Sequence, residues 1–96
     1  MRIHHLLGAE REILEAVQFY HERAGDLASE FYAEFCRARS EIAAFPEFWG
    51  NVGGGYRRKL LSRFPYGIIY RIEDEEILIV AVAHLSRHPD YWRNRG

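Results

Sequence analysis

Ninety-six residues, 48% hydrophobic and 15% aromatic, suffice for a single globular domain spanning 1–96 with one modest core and leave little apolar surface for a second. The longest aliphatic run, Ile77 to Ala83, is far shorter than the roughly 20 residues of a membrane helix. The start, Met1-Arg2-Ile3-His4-His5-Leu6-Leu7, has no stretch long enough for a secretory signal, so a cytoplasmic protein without membrane contact is expected.

The formal charge of −1 averages two unlike halves: residues 1–50 carry five Arg against nine acids, and 51–96 carry eight Arg and Lys against five. Two surfaces of opposite sign are therefore expected.

In chain order, Ile3 to Leu6 reads as a short strand. From Ala9 to about Ala24, Ile13, Ala16, Val17 and Tyr20 follow a helical period, with Glu10, Glu12 and Glu15 near the positive end of the helix. Gly25 is expected to end this helix and Asp26 to cap the next. That second helix, Leu27 to Phe45, places Leu27, Phe31, Phe35, Ala38, Ile42 and Phe45 at steps of three or four, and Pro46 stops it. So short a junction predicts an antiparallel helical hairpin.

Pro46 to Gly55, with Gly53-Gly54-Gly55, reads as a long loop. Three strands follow at Tyr56 to Ser62, Tyr66 to Ile72 and Glu76 to His84, the last reading as a central strand buried on both faces. Short turns at Phe64-Pro65 and at Glu73-Asp74-Glu75-Glu76 imply a meander. The expected class is α+β: a small antiparallel sheet packed against an N-terminal helical hairpin, in the order β-α-α-β-β-β.

Tyr56-Arg57-Arg58-Lys59-Leu60-Leu61-Ser62-Arg63 holds four cations and no acid. Alternation puts Arg58 on one face with Tyr56 and Leu60, and Arg57, Lys59 and Leu61 on the other. An uncovered face would offer a row of charge to phosphates or carboxylates, or else these are solvated residues that discourage edge aggregation. After the last strand come His84, Arg87, His88, Tyr91, Trp92, Arg93 and Arg95. Guanidinium groups and flat rings suit nucleic acid and suit a protein interface equally. The plainer alternative is that Tyr91 and Trp92 fold back to seal the sheet.

Other chemistries find less support. His84 and His88 with Asp90 do not make a defined set of four metal ligands, and Cys36, alone, reads as a small core residue. The glycine triplet is not followed by the Gly-Lys-Ser/Thr of a phosphate loop. No cofactor and no metal are expected.

The order and spacing of Ala24-Gly25-Asp26-Leu27-Ala28, Ile42 with Pro46, Arg57-Arg58-Lys59-Leu60, Phe64-Pro65-Tyr66-Gly67-Ile68-Ile69-Tyr70, and Ala81-Val82-Ala83-His84 with Arg87-x-Pro89-x-Tyr91-Trp92 resemble the ParE/RelE toxin superfamily of type II toxin-antitoxin systems. The resemblance implies a toxin of a plasmid-stabilisation type system, held in a hetero-oligomer by a cognate antitoxin. RelE-like members cut messenger RNA on the ribosome, and for them the resemblance makes Lys59, Arg87 and Tyr91 the catalytic counterparts. ParE-like members poison DNA gyrase by binding, and the Phe64 to Tyr70 strand and the ending His84 to Trp92 resemble that branch more. On that reading Arg57, Arg58, Arg63, His84, Trp92 and Arg93 form the target-binding surface. Cleavage would need a base for the 2′-hydroxyl, cations for the phosphorane and an acid for the leaving oxygen. His84, His88 and Tyr91 are the proton-moving candidates, while Leu61 and Ser62 stand where more active-strand charge is expected of a nuclease.

Overall fold

The computed structural model of the chain describes residues 1–95. They form β1 (Arg2–His5), α1 (Leu7–Arg23), α2 (Gly25–Ala44), β2 (Asn51–Gly53), β3 (Tyr56–Leu60), β4 (Tyr66–Glu73) and β5 (Glu76–His84). The strands make one sheet in the order β1-β5-β4-β3-β2. The α+β class, the helical hairpin and the antiparallel β3-β4-β5 meander agree with expectation.

Three details of the sheet differ. β1 runs parallel to β5, from Arg2 opposite Glu76 to His5 opposite Ile79, so the sheet is mixed. Short turns dictate direction only between consecutive strands, and β1 meets β5 across most of the chain. β4, not β5, is the middle strand, although β5 is internal with β1 on its other side. Within the expected loop, β2 pairs with β3. Gly53, Gly54 and Gly55 all have positive φ (95°, 66° and 84°), a run that strongly favours residues without a Cβ, and they turn β2 back onto β3.

The helices bury Ala9, Glu12, Ile13 and Ala16 of α1 and Ala28, Phe31, Glu34, Phe35, Ala38 and Ile42 of α2, the steps that direct one stripe to a core. A single extended residue, Ala24 (φ −162°, ψ 129°), separates them. Its N–H donates to the Tyr20 carbonyl at 3.1 Å and its carbonyl accepts from the Leu27 N–H at 3.0 Å. Gly25 therefore opens α2 instead of closing α1. Asp26 sits in the first turn, where its charge favours the helix N-terminus, and no side chain caps that end.

The helices cover one sheet face, where Phe31, Phe35 and Ile42 pack with Ile68, Tyr70, Ile77, Ile79 and Val82. The other face is covered too. Trp92, 2% exposed, lies against Ile69, Val80 and Ala81 and meets the Tyr56 ring edge-on at 4.8 Å. Burial of so large a side chain contributes about 3 kcal/mol. The β4-β5 register shifts where Ile69 faces Ala81 and Tyr70 faces Ile79, leaving Val80 as an additional residue. Val80 and Ala81 thus both turn toward Trp92, while Ile79 and Val82 face the helices. Cover on both faces is why the strand reads as one unbroken aliphatic run.

Candidate functional site

Alternation along β3 divides its cations between two environments. Arg57 Nη1 donates to the carbonyls of Trp49 (2.7 Å) and Glu47 (3.1 Å). Lys59 Nζ lies 3.5 Å from Glu41 Oε1 of α2 and 4.4 Å from the centre of the Trp49 ring. Arg63, past the strand end, pairs with Glu30 of α2 at 2.5 Å. All three lie on the helix side.

Arg58 takes the other side. Its stem crosses Gly67 of β4, where a Cβ would stand 3.1 Å from Arg58 Cδ, so a larger residue at 67 would crowd the arginine stem. The expectation that all these cations converge with the tail is therefore corrected: Arg58 reaches the tail, whereas Lys59 and Arg63 pair with α2 and Arg57 with the loop that follows it. In the regular pairing of β3, neighbouring side chains leave on opposite faces.

The tail after β5 is fastened at two places. Arg93 donates to Asp90 Oδ1 (2.6 Å) and to the carbonyls of Gly53 (3.2 Å) and Val52 (2.5 Å), joining the tail to β2. The second place is Glu12 of α1, 7% exposed. Its carboxylate accepts from the Val82 N–H (2.9 Å), from both terminal nitrogens of Arg95 (2.9 and 3.0 Å), from Arg87 (3.3 Å) and from the Tyr91 hydroxyl. Arg95 also donates to the Val80 carbonyl at 3.3 Å. It fits there because residue 8 is glycine, whose absent Cβ would lie 3.0 Å from the guanidinium.

β1 stops at His5, with the Leu6 N–H on the Ile79 carbonyl. Beyond it, the Val80 carbonyl and the Val82 N–H of β5 are satisfied by Arg95 and Glu12 in place of a strand. These donors fill the acceptor capacity of a carboxylate that would otherwise be costly to bury.

This geometry decides what the sequence-predicted residues are placed to do. Burial, and then the Glu12 carboxylate that accepts its hydroxyl proton, push the Tyr91 phenol far above its ordinary range, which makes it a poor proton donor or base near neutrality. Arg87 stacks on the Tyr91 ring at 3.6 Å and shares Glu12 with it. Lys59 is on the opposite face of the sheet from Tyr91. Trp92 is interior, not part of a contact surface.

The residues gathered on the tail side are Arg58, His84, Arg87, His88 and Arg93. With Asp90 they line a cleft of about 280 Å³ whose apolar wall includes Val52, Ile69, Pro89 and Trp92. Glu12 and its counterpart Glu34 were not singled out by the sequence reading. A signal existed: each sits in an apolar stripe, Glu12 between Ala9 and Ile13 and Glu34 between Phe31 and Phe35, where a carboxylate must find donors.

Residues 7–89 match the family described as the ParE toxin of the type II toxin-antitoxin system, parDE. The chain is 32% identical over 91 residues to Toxin ParE2 of Mycobacterium tuberculosis, in each of two strains, covering 94% of this chain and 85% of the relative. Among solved structures, a chain from the chromosomal ParDE TA system from P. aeruginosa superposes with a TM-score of 0.79 at 17% identity, over 88% of this chain and 96% of that one; at that identity the likeness speaks for the fold.

Proposed function

The chain belongs to the ParE toxin family of type II toxin-antitoxin systems, and from that premise we propose that it acts by binding DNA gyrase and not by cutting RNA. The observation that carries this reading is the dispersal of the nuclease candidates. Lys59 is held by Glu41 on the helix side, and the Tyr91 hydroxyl is committed to Glu12. A concerted cleavage needs its base, acid and cations within hydrogen-bond reach of one phosphate, and these three residues do not share a face. The contact surface in this reading is the tail side: Arg58, His84, Arg87 and Arg93.

The family implies an antitoxin partner. In this reading the toxin works in the cytoplasm with residues 1–96 as a single domain, in a plasmid-stabilisation type system, and is neutralised in a hetero-oligomer with that antitoxin. An acidic antitoxin segment would complement the basic surface, and its association would weaken as salt rises.

Purified protein should block supercoiling by DNA gyrase, with Arg58→Ala weakening the block at least tenfold, while translated message stays intact in primer extension. Site-specific cuts that vanish in Arg87→Ala and Tyr91→Phe, with supercoiling unaffected, would overturn the proposal in favour of a ribosome-dependent endoribonuclease.

A further inference from the structure

The cleft between Arg58 and the tail is lined by two histidines and three arginines against a single carboxylate, Asp90. The Ser86 N–H donates to His84 Nδ1 at 3.0 Å, and the Asp90 N–H donates to His88 Nδ1 at 3.2 Å. A ring nitrogen that accepts from a backbone N–H carries no proton, so each neutral imidazole holds its proton on Nε2. Neither Nε2 has a protein partner among the described residues. Among the described residues Arg58 makes no ion pair, and its stem lies against Gly67 while the side chain lines the cleft. The one carboxylate lining the cleft, Asp90, is already held by Arg93 at 2.6 Å.

We propose that this cleft binds a phosphate ester of nucleotide size. Two imidazole N–H groups, the guanidinium of Arg58 and the nitrogens of Arg87 that Glu12 does not engage line it from the sheet and from the tail. Donors converging from separate elements suit the several oxygens of a phosphate better than the two of a carboxylate. The volume of about 280 Å³ exceeds what a bare anion fills, and the wall of Val52 and Pro89 offers an apolar surface to a ring attached to that phosphate. Trp92 forms the floor and is too deeply buried to stack on a base itself.

The inference deepens the reading above and rests on it only in taking this face as the toxin's working surface. A free nucleotide and a nucleic-acid strand share the chemistry.

The test is calorimetric titration of the full chain with 5′-AMP, adenosine, inorganic phosphate and a short single-stranded DNA lacking terminal phosphates. Saturable binding of 5′-AMP, competition by phosphate and no binding of adenosine are expected. Arg58→Gln should weaken 5′-AMP at least tenfold and His88→Gln severalfold, whereas Arg63→Gln, on the α2 side, should leave it unchanged. Tighter binding of the DNA than of 5′-AMP would identify an internal phosphodiester as the ligand, and the reverse a free nucleotide. Equal binding of adenosine and 5′-AMP, absence of saturation, or wild-type affinity in both Arg58→Gln and His88→Gln would overturn the site. Nucleotide binding by a protein that leaves gyrase untouched would uphold the site and overturn the gyrase reading. Gyrase inhibition without any nucleotide binding would do the opposite.

Discussion

Two buried glutamates, one from each helix, reach across to backbone the sheet leaves unpaired, and the contrast between them explains how this small fold is held. Glu12 of α1 completes the open edge of β5 and gathers Arg87, Tyr91 and Arg95 of the tail. Glu34 of α2 accepts from the N–H groups of Ser62 and Arg63 at the β3-β4 turn. Both carboxylates are under 8% exposed, yet their partners differ. Ser62 and Arg63 lie at the surface, where water can replace the carboxylate, whereas Tyr91 and Arg95 are partly buried and Val82 is 1% exposed. One glutamate caps a turn. The other is the joint between helix, sheet edge and tail, and so governs whether the cleft exists at all.

Removing each in turn should break that comparison open. Glu12→Ala leaves a partly buried guanidinium, a phenol and a β5 N–H without their acceptor, and should cost about 3 kcal/mol in urea denaturation. The Trp92 environment should loosen with it, seen as a red-shifted indole emission, and Glu12→Gln should recover part of the loss by keeping the Val82 contact.

Glu34→Ala should cost only about 1 kcal/mol, because hydration replaces what is lost at an exposed turn. It should leave the tail in place.

The smallest effect concerns a third polar link, where a neutral ring replaces a carboxylate. His5 Nε2 accepts from Arg39 Nε of α2 at 3.0 Å. Burial first, and then the Arg39 charge, hold its pKa below the ordinary 6.5. The unfolded chain therefore takes up this proton before the folded one does. The stabilisation is complete above pH 6.5 and is lost as pH falls through that value toward the folded pKa. Thermal melts between pH 7 and 5 should show this slope, and His5→Gln should flatten it.

Much of the architecture was legible in the chain because it rests on short-range regularities. The stripes Ile13-Ala16-Tyr20 and Phe31-Phe35-Ala38-Ile42 announced two helices, and Pro46, the glycine triplet and Phe64-Pro65 announced the breaks. The parallel pairing of β1 was not legible, since nothing near Ile3 says which distant edge it will join. α2 begins at Gly25, two residues before the Leu27 that the pattern suggests, because glycine at a helix junction reads as a stop, although it serves here as a start.

At the candidate site, the residue types were readable and their company was not. Sequence alone determined that Arg58 would part from Arg57 and Lys59, because strand alternation is a local steric rule. It also determined that Trp92, in a chain with so little core, had strong reason to be covered. Only the tertiary structure decided that the tail would do the covering, that Glu12 would claim Tyr91 and Arg95, and that His84 and His88 would turn the same ring nitrogens inward to backbone N–H groups. Those outcomes depend on which separate segments meet, and meeting is fixed by the packing of the whole chain, not by any stretch of it.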